Sequence, residues 1–139
     1  MVKQYVLGFC FVPDGTCILI EKSKPDWQAG LVNGLGGLIK PAENIYEAMV
    51  REFHEECGIA THIKEWQHGV TLLGNGWELN VLRCILGHNQ PKIRDCEEGA
   101  VGFYDEPPDN MEQTARWLYW MCRDNSTFGL LSHLNGHDR

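Results

Sequence analysis

Between Gly37 and Ile59, in the run GLIKPAENIYEAMVREFHEECGI, stand five glutamates, one arginine and glycines at positions 37 and 58. Carboxylates at this density have two physical readings. They form a solvated acidic face, or they gather hard oxygen donors for a divalent cation such as Mg²⁺ or Mn²⁺. On a helical wheel at about 100° per residue, Tyr46, Met49, Val50, Phe53 and Cys57 fall within about 100° of arc, the width of a core-facing stripe. Glu52, Glu55 and Glu56 fill an adjoining arc, while Glu47, Arg51 and His54 face water. The three carboxylates thus border the buried edge. There, like charges at i,i+3 and i,i+4 repel by roughly a few tenths of a kcal/mol per pair, and the neighbouring core lowers the dielectric. A cation would relieve the repulsion and so would water, so the wheel leaves both readings open.

The elements that must position these residues are legible in outline. Residues 44–57 read as a helix: Asn44 followed by Glu47 suits a capping box, and Gly58 suits a left-handed C-cap. Upstream, Tyr5–Val12 and Cys17–Glu21 read as a hairpin around the turn signal Pro13-Asp14-Gly15-Thr16. Residues 22–33 read as a loop, and 34–39 as a short glycine-rich strand. Downstream, Thr61–Leu73 and Trp77–Leu86 are strand-like about Gly74-Asn75-Gly76. Ala100–Tyr104 suits a further strand and Met111–Arg123 a second helix. The tail from Asp124 is weakly patterned.

Composition narrows the class. A chain of 139 residues holds one domain. Its net charge of −7 argues against an extended nucleic-acid surface. Small phosphorylated substrates stay open, because bound cations invert a local field. The six cysteines never occur as C-x-x-C and sit mostly in apolar segments, which predicts reduced, buried thiols. Without a signal-peptide pattern or a window approaching ~18 apolar residues, no membrane is expected as a partner and the expected location is cytoplasmic.

Gly37, five residues, Glu43, seven residues and then Arg51-Glu52-Phe53-His54-Glu55-Glu56-Cys57-Gly58-Ile59 resemble the Nudix box, G-x5-E-x7-R-E-U-x-E-E-x-G-U with U apolar. Every specified position matches, a coincidence expected with a chance on the order of one in ten million for a chain of this size. The flanks depart from the pattern of many relatives, which carry Pro-Gly-Gly before the box and Gly-Glu at its first glutamate. Here these are Leu35-Gly36-Gly37 and Ala42-Glu43. The resemblance implies the Nudix fold, an α+β single domain over residues 1–139 with a mixed β-sheet sandwiched between helices. It also implies a Mg²⁺-dependent hydrolase of diphosphate linkages, with Mn²⁺ as substitute. By that resemblance Glu52 and Glu56 are the core metal ligands, and Glu55 is a ligand or the base that activates water. The backbone carbonyl of Gly36 adds a ligand. Glu43 and Arg51 support catalysis, Arg51 orienting carboxylates, a role compatible with a plain Glu47–Arg51 helix pair. A further glutamate outside the box acts as ligand or base in many members. Asp95-Cys96-Glu97-Glu98 is placed for it, and register favours Glu98 over Glu97, with an acidic loop in water as the alternative.

Val32-Asn33-Gly34-Leu35-Gly36-Gly37 resembles the tract of Nudix enzymes that clear oxidised purine nucleoside triphosphates, where an asparagine contacts the base after a tryptophan that is Val32 here. Asn33 is the matching residue, and Asn110 matches a base-reading asparagine of bacterial mutator-type enzymes. Turn formation and helix capping are the alternatives for the two. Trp27, Trp117 and Trp120 are candidates to stack on a base; for Trp117 and Trp120 the favoured expectation is the core of the second helix, with stacking the alternative, and Trp77 is expected in strand packing. The leading expectation is hydrolysis of a (d)NTP, including oxidised purines, to monophosphate and pyrophosphate. Nucleoside diphosphate sugars, dinucleoside polyphosphates and capped RNA are rivals within the family. A non-catalytic Nudix-fold binding module is the rival outside catalysis, and it would be expected to have lost box glutamates.

Overall fold

Alternation along the first strand sets the architecture, because successive side chains of a strand leave on opposite faces. The computed structural model describes residues 1–89 and 91–124. In chain order the elements are β1 (Lys3–Phe11), β2 (Cys17–Lys22), β3 (Val32–Asn33), β4 (Leu35–Leu38), α1 (Ile45–Cys57), β5 (Trp66–Gly74), β6 (Trp77–Ile85), β7 (Gly99–Tyr104) and α2 (Gln113–Arg123). From β1, Val6 and Cys10 enter one apolar cluster and Phe9 and Phe11 another. The first cluster is completed by Met49, Phe53 and Cys57 of α1, the second by Leu118, Tyr119 and Cys122 of α2. One sheet therefore serves two cores, each roofed by a helix. This is the α+β arrangement the sequence leads one to expect.

The seven strands form one mixed sheet. β1 pairs with β6 in parallel along its whole length, and among the described residues every other strand-to-strand pairing is antiparallel, apart from an isolated parallel bridge between Val32 and Met111. Its opposite edge is shared: Cys10 and Phe11 pair with β2 at the hairpin, while Tyr5–Gly8 pair with β4. β2 in turn meets β3 at Ile20 and Glu21, with β7 along its far edge. The hairpin thus opens like a fork, and the 32–38 segment is wedged between its arms.

The expected hairpin and both helices are present. Residues 22–33, read as loop, also contain a 3-10 turn at Asp26–Gln28 and the strand β3. Thr61–Glu65 is not strand: His62 caps a 3-10 turn over Ile63–Glu65, and β5 begins only at Trp66. Trp117 and Trp120, expected in the core, are instead 56% and 51% exposed. Ala115, Leu118, Tyr119 and Cys122 take the buried stripe of α2. The six cysteines are free thiols, five of them buried. Among the described residues no helix is long and apolar enough to cross a membrane. The expected weakly patterned tail lies outside the described residues from position 125 onward.

Candidate functional site

Two local devices fix the helix that carries the glutamates. At its start the Asn44 side chain accepts from the Glu47 N–H while Glu47 accepts from the Asn44 N–H, both at 2.9 Å. At its end Gly58 takes a left-handed φ of 86°. Between them Ala48, Met49, Phe53 and Cys57 are buried, and so is Glu56, which is 4% exposed. The core stripe is thus wider than the wheel predicts, and it takes Glu56 in instead of leaving it at the border. Glu52 stands at the border, and Glu55 faces outward with about half its side chain exposed.

β4 lies against this row through two glycines. The Gly36 N–H donates to Glu56 Oε1 at 2.8 Å. A Cβ at Gly36 would overlap the Val6 carbonyl oxygen, and one at Gly37 would collide with the Glu52 carboxylate. Absence of side chains at both positions is what lets strand, neighbouring strand and carboxylates share this space.

Arg51 gathers the remaining acids. Its guanidinium donates in a fork to Glu43, Nε to Oε2 at 2.6 Å and Nη2 to Oε1 at 2.9 Å. It also reaches Glu52 Oε2 at 3.1 Å, Glu55 Oε1 at 2.9 Å and the Leu38 carbonyl at 3.0 Å. Its partners in the helix are therefore Glu52 and, at i+4, Glu55 (Glu43 lies outside the helix), not the Glu47 expected from spacing. The arginine holds the Glu43 carboxyl below its ordinary value. Burial pushes the other two up: Glu52 despite Arg51, and Glu56 to about 8, with the Gly36 N–H and Lys22 opposing and Glu52 and Glu98 adding to the rise. The donor set is all oxygen, partly withdrawn from water, and in excess of its counter-charge. That chemistry fits a hard divalent cation. Among the described residues no three acid, imidazole or thiol side chains stand as a ready-made coordination cluster; Glu52 and Glu55 both accept from Arg51.

A cavity of about 750 Å³ reaches Gly36 and Gly37. Tyr5, Leu7, Leu79 and Leu118 give it an apolar side, while Lys22, Asn33, Glu98 and Glu112 bring polar groups. Trp27, 72% exposed, and Trp77 both border it, the indole of Trp77 lying where a Cβ on Gly74 would be. Of the acidic pair before β7, Glu98 lines the cavity and Glu97 points into solvent with 93% of its side chain exposed. Asn33 also lines it, its Oδ1 accepting from the Gly34 N–H at 2.8 Å. Asn110 is not among the lining residues; its Nδ2 donates to the Gly30 carbonyl at 3.0 Å and so ties down the loop before β3. The sequence carries no local signal for Lys22, Trp77 or Glu112 as lining residues. Trp77 reads there as strand packing, and the three are assembled by long-range pairing.

Residues 1–121 match the NUDIX domain family. No curated protein matches the chain. Among solved structures, a MutT NUDIX hydrolase from Burkholderia pseudomallei is 23% identical with a TM-score of 0.68, over 86% of this chain and 97% of that one. The NUDIX domain of Shewanella oneidensis NrtR, complexed with ADP ribose, is 14% identical with a TM-score of 0.70, over 88% of this chain and 87% of that one. A bifunctional NMN adenylyltransferase/ADP ribose pyrophosphatase from Francisella tularensis, complexed with AMP and a Mn ion, is 13% identical with a TM-score of 0.70. That match takes in 87% of this chain but 41% of the other. At these identities the likeness is one of fold.

Proposed function

Because the chain belongs to the NUDIX domain family, we propose that it is a pyrophosphohydrolase that converts a (deoxy)nucleoside triphosphate to the monophosphate and pyrophosphate. Mg²⁺ is the cofactor in this reading, with Mn²⁺ as substitute. One observation carries it. A cavity of about 750 Å³, within the range of nucleotide-sized sites, ends at the two glycines against which Glu56 and Glu52 lie.

Glu52 and Glu56 would hold the cation, with Glu55 or Glu98 and the Gly36 carbonyl completing the donors. When bound, the metal neutralises phosphate oxygens and lowers the pKa of an attacking water. Arg51 orients Glu52 and Glu55 and is itself held by the fork to Glu43, the kind of outer support that keeps ligands in register. Whichever of Glu55 and Glu98 does not hold the cation receives the water's proton. The apolar side of the cavity, with Trp27 and Trp77 at its border, takes the base, and Asn33 offers an amide at its edge.

The test is product analysis with Mg²⁺ over a panel of normal and oxidised nucleoside triphosphates, ADP-ribose, dinucleoside polyphosphates and capped RNA. Monophosphate plus pyrophosphate, abolished in a folded Glu56→Gln variant, is the expected result. Cleavage confined to ADP-ribose or another diphosphate would keep the mechanism and replace the substrate. No cleavage of any panel member by folded protein would overturn the proposal.

A further inference from the structure

Among the described residues that line the cavity, Lys22 is the one cation, and Glu98 and Glu112 are the acids. Its side chain is only 13% exposed, and its Nζ stands 3.7 Å from Glu98 Oε2. That separation is an ion pair but lies beyond hydrogen-bond range. The lysine's own main chain is fixed. Its N–H donates to the Leu31 carbonyl and its carbonyl accepts from Gly30, at 2.9 and 2.8 Å. Glu98 is fixed beside it: its carbonyl accepts from the Ser23 N–H at 2.8 Å, and Lys22 pairs with Gly99 in the β2–β7 ladder. A lysine side chain largely withdrawn from water, with Glu98 at ion-pair distance, therefore borders the cavity that receives a polyanion in the proposed function.

We propose that Lys22 is the phosphate-receiving residue of this cavity, and that it exchanges Glu98 for a substrate phosphate on binding. Without nucleotide the lysine holds Glu98 by the long ion pair. A phosphate oxygen offers the ammonium a charge-assisted hydrogen bond, shorter and stronger than that pair. Lys22 then turns to the phosphate and leaves the Glu98 carboxylate available to the divalent cation. Lys22 is a binding residue in this account, and Glu98 is positioned by it. The inference rests on the proposed nucleotide function.

Calorimetry on metal-free protein tests it, with a nucleoside, its 5′-monophosphate and inorganic pyrophosphate as ligands. Loss of one charge-assisted hydrogen bond corresponds to about ten- to hundredfold in affinity. Lys22→Gln should weaken the monophosphate by about that factor and leave the nucleoside unchanged, while Lys22→Arg retains phosphate binding. Glu98→Gln should tighten the monophosphate when Lys22 is present and much less in the Lys22→Gln background, whereas mere loss of a repelling charge would tighten both equally. Unaltered phosphate affinity in folded Lys22→Gln, or weaker binding in Glu98→Gln, overturns the exchange. Lys22-dependent binding of pyrophosphate with no preference for any nucleoside supports the exchange while removing the nucleotide reading. Turnover of triphosphates by Lys22→Gln at the wild-type KM leaves that reading standing and removes the role of Lys22.

Discussion

Glu56 ties burial to charge in one side chain. Its carboxyl is pushed from 4.5 to about 8, burial being the largest cause. Between those values the folded protein keeps a proton that the unfolded chain has released. More protons are then bound in the native state, so stability falls as pH rises through this window. The loss is at most a few kcal/mol, because each tenfold change in proton affinity corresponds to about 1.4 kcal/mol. Glu52, raised in the same direction, adds to the slope. Urea unfolding at a series of pH values from 5 to 8 in the presence of a chelator should show the decline. Glu56→Gln should flatten most of it, and Mg²⁺ should restore stability at pH 8 in the wild type by binding the folded state. A wild-type profile already flat in chelator would show that Glu56 is better solvated than its burial implies.

At the scale of elements, the turn before α1 and the cap after it make opposite tests of backbone conformation. Ala42 adopts a left-handed φ of 72°, a region where a Cβ costs roughly 1–2 kcal/mol. A glycine here would adopt this φ at no steric cost. Ala42→Gly should therefore raise the urea midpoint, offset in part by the greater chain entropy of glycine when unfolded. Gly58→Ala should lower it, since its φ is 86° and its Cβ would stand 2.9 Å from Arg94 Nε. Equal midpoints for all three proteins would contradict the backbone geometry at both ends of the helix. These ends were legible in the sequence because capping is local chemistry: Asn44, Glu47 and Gly58 announce it within a few residues. The wedge of β3 and β4 between β1 and β2 was not. Its pairings join residues such as Tyr5 and Leu38, and no local pattern records which edge a short glycine-rich strand will fill. For the same reason Glu52, Glu55 and Glu56 could be singled out by spacing, whereas Lys22 beside Glu98 could not. The stripe of α2 was misread at Trp117 and Trp120 because hydrophobicity alone does not say which of several apolar residues on a short helix turns inward.

At the scale of the whole molecule, the sheet couples two cores that have no helix in common. Leu82 of β6 is fully buried beneath α1, and Leu19 of β2 is fully buried beneath α2. Each leaves the same sheet on a different side, so loss of order in either layer removes support from strands that the other layer needs. The site depends on both layers, since α1 brings the glutamates and α2 with its N-cap contributes Glu112, Thr114 and Leu118 to the cavity wall. Leu82→Ala and Leu19→Ala should each cost roughly 2–5 kcal/mol, the transfer and cavity terms of a buried leucine. The further expectation concerns cooperativity. In both variants helical ellipticity and tryptophan fluorescence should decay at one common urea midpoint, with the slope of the transition unchanged. Trp66 reports on the α1 side, where its ring meets Phe53 at 5.1 Å, and Trp120 on the α2 side, where it meets Tyr119 at 5.0 Å. Separate midpoints in Leu19→Ala would mean that α2 can leave the sheet while α1 and its glutamates remain in place. The cavity would then form by docking a helix onto a finished glutamate-bearing layer, and ligand affinity would depend on that docking equilibrium. A single midpoint makes glutamates and cavity products of one folding event.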